Sequence, residues 1–73
     1  MKIVDLKRGT LFFYQDELYI KIDQFYDDYD SIVAVNIATG DHLFTASHFI
    51  YEAVADGVIS DQDKQTWLEA IIG

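Results

Sequence analysis

The 73-residue chain sets 13 Asp and Glu against 5 Lys and Arg, a formal charge of −8, with 51% hydrophobic and 15% aromatic residues. That length admits a single domain near the lower limit for burying a core, and that composition excludes a chain disordered for want of apolar residues. The lack of Cys excludes a disulfide framework and a thiolate metal site, and five scattered cations provide no basic stripe for neutralising phosphates, which argues against direct nucleic-acid binding and against an anionic membrane surface.

In chain order, Ile3 to Leu6 could pair as an edge strand, and Lys7-Arg8-Gly9 reads as a turn. Residues 10–14, Thr-Leu-Phe-Phe-Tyr, are β-branched or aromatic at four positions and predict a strand. Gln15-Asp16-Glu17 forms a three-residue polar connection to a second strand. There Leu18, Ile20 and Ile22 alternate with Tyr19, Lys21 and Asp23, the period of a half-buried strand. Residues 32–37 repeat the pattern, with Val33, Val35 and Ile37 on one side and Ile32, Ala34 and Asn36 on the other. Thr39-Gly40-Asp41 then turns the chain into a short strand at 42–46. The expected centre of the apolar face is Leu18, Ile20, Ile22, Val33, Val35 and Ile37.

The period changes after residue 46. Phe49, Ile50, Ala53 and Val54 share one helical face, Ser47 is placed as an N-cap and Gly57 as a left-handed stop, although Phe-Ile-Tyr at 49–51 fits a last strand as well. Ser60 begins a second helix with Asp61 and Asp63 in its first turn, where the dipole favours anions. Trp67, Leu68, Ile71 and Ile72 form its apolar face. The expected fold is a single α+β domain over 1–73. A small antiparallel barrel or strongly curved sheet of four to five strands (1–46) is followed by a C-terminal helical hairpin (47–73) that covers the apolar face.

The string Gly9-x-x-Phe12, Leu18-Tyr19-x-Lys21-x-Asp23 and Ala34-Val35-Asn36-x-x-Thr39-Gly40 resembles a pattern in small tailed-bacteriophage proteins with a bent barrel of the Src-homology type. The resemblance covers about residues 3–46 and implies a phage or prophage setting, in which small proteins often act as inhibitors or adaptors on a host protein. It leaves the acidic loop and the tail outside.

That loop, residues 23–30, places four carboxylates and two tyrosines in eight positions. Like charges at 4 Å repel by about 1 kcal/mol per pair in water, so such crowding suits a solvated loop or a cationic partner. Asp23, Tyr26, Asp27, Asp28, Tyr29 and Asp30 are therefore the candidate partner-binding residues, the carboxylates for steering and the aromatics for contact area. The bland alternative is a charged loop kept soluble, its aromatics folded onto the core. The extreme functional form is a DNA mimic, in which Asp16, Glu17, Asp23, Asp27, Asp28, Asp30 and Asp41 would line up as a ribbon of charge.

Other chemistry is weakly supported. Residues 52–63 look like a remnant of a calcium-binding EF-hand loop, but Val54 replaces an oxygen ligand and Asp63 a bidentate Glu. The helix junction explains the same residues. His42 and His48, the two histidines, have no metal-ligand spacing and read as surface residues; Ser47 beside His48 makes no catalytic pair. No Gly-rich phosphate loop is present. No apolar run reaches the roughly 20 residues that span a bilayer, and Met1 to Asp5 lacks an apolar signal core. The sequence therefore predicts a cytoplasmic, non-enzymatic binding protein without metal or cofactor, whose partner is a host protein with a basic surface. The rival expectation is an assembly role, with a homodimer or a docking contact through Trp67, Leu68, Ile71 and Ile72.

Overall fold

A computed structural model describes residues 1–72. Four strands form an antiparallel meander: β1 (Leu11–Tyr14), β2 (Glu17–Phe25), β3 (Ser31–Asn36) and β4 (His42–Phe44). β5 (Gly57–Ile59) adds to the far side of β1, so the sheet order is β4-β3-β2-β1-β5. β4 and β5 are its two edges, and the sheet is open. A single α-helix, α1 (Asp61–Ile72), follows.

The turns follow local chemistry. Gly9 (φ 88°) and Gly40 (φ 81°) take the left-handed backbone their turns require. The β1–β2 connection is tighter than the expected three residues. Tyr14 pairs with Glu17, which leaves Gln15 and Asp16 as a two-residue turn with φ of 52° and 64°. Positive φ at both central positions is the type I′ geometry that matches strand twist, and it favours Asn-Gly. The Asp56 carboxylate steadies the turn by accepting the Gln15 backbone N–H at 2.9 Å. Replacing the pair with Asn-Gly should relieve the left-handed strain and stabilise the chain by about 1 kcal/mol. That is a rise of roughly 4–8 °C in melting temperature for a domain of this size. An unchanged melting curve would mean that this turn stores no strain.

The apolar face is not the expected one. Directly opposed residues share a face, and Phe12, Tyr19 and Asn36 form one such row, with Lys21 and Ala34 beside it. This face holds the core. Phe12, Tyr19, Val33, Ala34 and Leu43 pack with Ile3, Leu6 and Ile50. Phe12 and Tyr19 stack at 5.8 Å between ring centroids. Leu18, Ile20, Ile22, Val35 and Ile37 are only half-buried, on the opposite side. Val33 alone of the expected centre is fully in the core, because a register shift between Ile32 and Ala34 lets Val33 and Ala34 both turn inward.

The cover over the core also differs. Ile3–Asp5 and Ile50–Glu52 are short 3-10 turns lying side by side. They are joined by the Ile3 N–H to Ala53 C=O bond at 3.0 Å, by the Ala55 N–H to Met1 C=O bond at 3.1 Å and by the isolated Lys2–Val54 bridge. Ile3 to Leu6 is thus no edge strand. The expected helix over 48–54 is a turn and a 3-10 turn instead, so the described residues hold one α-helix and no helical hairpin. Its two proposed signals serve other ends: the Ser47 hydroxyl donates to Asp30, and Gly57 lies in β5 opposite Phe13. The Ser60 boundary is as expected. Its Oγ accepts the Asp63 N–H at 3.3 Å and donates to the Asp63 carboxylate at 3.1 Å. α1 lies against the second face, where Trp67 meets Phe13 edge-on at 5.6 Å.

Lys21 explains how a charged residue occupies a core position. Its side chain is 1% exposed. The stem runs through the core, and the ammonium donates to the Leu6 C=O at 2.8 Å, to the Val4 C=O at 3.3 Å and to the Asp23 carboxylate at 2.8 Å. It thus ties the first 3-10 turn to β2. Asp23, at φ 52°, is the left-handed residue of a register shift in β2, which aims its carboxylate back at Lys21.

Candidate partner-binding surface

The loop between β2 and β3 is built around one carboxylate. Asp30 is only 9% exposed. Its Oδ1 accepts the backbone N–H of Ser31 (3.0 Å) and Ala46 (2.8 Å) and the Thr45 hydroxyl (2.9 Å). Its Oδ2 accepts the Ser47 hydroxyl and the Ser47 N–H (3.2 Å). The Asp30 backbone C=O in turn accepts the N–H groups of Tyr26 and Asp27 at 3.3 and 3.1 Å. Burial, the largest single influence, opposes ionisation of Asp30. The bonds from Ser47, Ala46 and Thr45 together outweigh it and hold the carboxyl well below its ordinary value of 3.8.

The six candidate residues therefore divide. Asp30 is a strut between this loop and the 45–47 turn, and Asp23 is the counter-ion of Lys21. Tyr26, Asp27, Asp28 and Tyr29 remain outward. Tyr29 is 87% exposed and Tyr26 60%, the latter with its ring edge-on to Phe44 at 5.0 Å. The Asp27 carboxylate accepts the Tyr29 N–H at 2.8 Å, which shapes the tip. The segments that Asp30 joins also carry Phe25 and Phe49, both largely exposed. The spacing of Phe49, Ile50, Ala53 and Val54 predicts one helical face, yet Phe49 stands out into solvent. Its exposure follows from φ 52° at this position, which ends the turn rather than continuing a helix.

The remaining carboxylates of the ribbon lie elsewhere. Asp16 and Glu17 are at the β1–β2 turn and Asp41 at the β3–β4 turn, both at the end of the sheet where Tyr19 pairs with Asn36. Burial pushes the Tyr19 phenol up; the Asn36 side chain opposes this, and the charges of Glu17 and Asp41 add to it. Asp27 and Asp28 sit beyond the other end of the nine-residue β2, roughly 30 Å away at 3.3 Å per residue.

His42 and His48 flank the Phe44 ring, at 6.1 and 5.8 Å between centroids. Among the described residues no three His, Asp or Glu side chains come together as metal ligands, and no pocket opens at the surface. Residues 52–63 span a 3-10 turn, β5 and the first turn of α1, which is not the helix-loop-helix of an EF-hand. On α1, Leu68 is half-buried, Trp67 is 40% exposed, and Ile71 and Ile72 face outward; no described residue of the helix is fully buried. Among the described residues no helix is long and apolar enough to cross a membrane.

Comparison with protein-family models, curated proteins and solved structures finds no match to this chain.

Proposed function

We propose that the chain is an acidic binding protein that docks the Tyr26–Tyr29 tip onto a basic surface of a host protein and so modulates it. One observation carries this reading. The loop is braced from within by Asp30, yet presents Tyr26 and Tyr29 to solvent around the two exposed carboxylates of Asp27 and Asp28. A braced loop loses little conformational freedom on binding, and exposed tyrosines supply contact area at low entropic cost. The phage-type setting rests on the residue pattern over about residues 3–46, which also supports reading the curved sheet as kin to a Src-homology-type barrel. Where the basic surface is a nucleic-acid site, the carboxylates would stand in for phosphates.

The test is a pull-down from nuclease-treated bacterial lysate, eluted first with salt and then with duplex DNA, using the wild type beside an Asp27→Asn/Asp28→Asn/Tyr29→Ala variant. Asp30 is left intact because its carboxylate holds the fold of the loop. The expected result is a host protein released by salt or by DNA from the wild type and bound at least about tenfold more weakly by the variant. The same protein held equally by both would remove the tip from the mechanism.

A second reading, assembly through α1, is favoured by that helix having no fully buried described residue. It predicts a mass in solution that rises with concentration and falls to monomer on Trp67→Ala.

A further inference from the structure

β4 is an edge strand, and its outer side is closed by the chain itself. Residues alternate along an antiparallel edge between facing the neighbour and facing outward. Thr45 donates its N–H inward to the Ser31 C=O at 3.0 Å, so Phe44 presents its backbone outward. Residue 48 satisfies both of those groups. The His48 backbone N–H donates to the Phe44 C=O at 3.3 Å, and the His48 ring Nδ1 accepts the Phe44 N–H at 3.1 Å. The imidazole lies flat on the Phe44 ring, with 13° between planes. His48 thus imitates a paired strand and blocks one residue's worth of free edge, the kind of edge that invites unwanted pairing.

This closure depends on a lone pair. Nδ1 can accept only while it carries no proton, so the bond requires the neutral ring with its hydrogen on Nε2. Protonation turns the acceptor into a donor aimed at another donor. We propose that His48 is a proton-operated latch on the sheet edge: neutral, it closes the outer side of β4 at Phe44; protonated, it releases the Phe44 N–H and reopens that edge position, while Asp30 and the backbone bonds still hold the 45–49 turn. The groups around it leave the latch uncompensated. From β4 the nearby titratable group is His42, across the Phe44 ring; from the β2–β3 loop they are Tyr26, on the same ring, and Asp30, whose carboxylate is engaged by Ser47 and Thr45. Among the described residues no carboxylate lies within ion-pairing distance of the His48 ring. The inference does not depend on the partner-binding role of the tip.

The test is nuclear magnetic resonance on the full chain across the titration of His48. Ring nitrogen shifts should report the Nε2–H tautomer at high pH. The protection factor of the Phe44 amide should fall about five- to tenfold as the ring protonates, with the midpoint of the ring itself. His48→Ala should leave that amide unprotected at every pH. His48→Asn, which offers an oxygen near the place of Nδ1, should keep it protected and remove the pH dependence. An Nδ1–H tautomer at high pH would overturn the proposal, and so would a Phe44 amide equally protected on both sides of the His48 titration.

Discussion

Asp30→Ala should lower the melting temperature more than replacement of any carboxylate exposed at the tip. The variant leaves the Ala46 and Ser47 N–H groups and the Thr45 and Ser47 hydroxyls without their acceptor, and leaves the Ser31 N–H only the Thr45 Oγ1 at 3.1 Å. Those groups lie in a partly buried site, where water replaces the lost bonds poorly. Asp28→Ala removes a solvated charge and Asp27→Ala in addition only the exposed bond to the Tyr29 N–H, so their melting curves should stay close to that of the wild type. The same carboxylate sets an acid limit. In the unfolded chain Asp30 protonates near its ordinary value of 3.8, whereas in the folded chain it stays ionised well below that. Its contribution is therefore complete above the unfolded value and is lost as pH falls through the folded one. Thermal melts as a function of pH should show a steep loss below about pH 4 in the wild type and a shallower one in Asp30→Asn. Equal slopes, or equal melting temperatures for Asp30→Ala and Asp28→Ala, would deny Asp30 its bracing role.

Lys21→Met should cost about 2–3 kcal/mol, or roughly 10–20 °C in melting temperature. The substitution retains most of the buried stem, so lost packing contributes little. It removes the donor from the Leu6 and Val4 carbonyls and detaches the first 3-10 turn from β2. Asp23, whose side chain is 45% exposed, is not stranded in the interior, which keeps the cost below that of breaking a fully buried pair. Urea denaturation gives the number directly. A variant as stable as the wild type would mean that the stem alone matters and that the ammonium only finds a tolerable place.

These two residues also explain what could be read from the chain and what could not. Strands β1 to β4, the glycine turns at 9 and 40 and the Ser60 start of the last helix follow from local chemistry, whereas β5 lies where a helix stop is expected and Ile3 to Leu6 is no strand. The choice of face does not follow from local chemistry. Leu18, Ile20 and Ile22 alternate as a core row should, yet Tyr19 and Lys21 occupy the core. Both sides of this sheet carry apolar residues, and period-two alternation says which residues share a side without saying which side is covered. The cover is set by distant segments: Ile3, Leu6 and Ile50, whose 3-10 turns carry no strong periodic signal. The helix expected over 48–54 failed for a related reason. Its face residues Phe49, Ile50, Ala53 and Val54 fit a helical spacing, but Asp30 captures Thr45, Ala46 and Ser47 from a distance and fixes a turn. Part of the tip was legible. A run of carboxylates and tyrosines marks a surface loop, but only the fold separates Asp30, which is buried, and Asp23, which pairs with Lys21, from Asp27 and Asp28, which point to solvent. Phe49 is exposed just after the 45–47 segment that Asp30 holds, and nothing in its neighbours' spacing signals it.

The strand order has a kinetic consequence. β1 to β4 pair with sequence neighbours, so hairpins can close them early and at small entropic cost. β5 must return past the three intervening strands to reach β1, and α1 follows it. Long loops close last and, when lightly packed, open first. The 57–72 segment should therefore behave as a separate unit of low local stability, exchanging its amide hydrogens ahead of the meander and detaching while the core around Phe12 and Tyr19 stays intact.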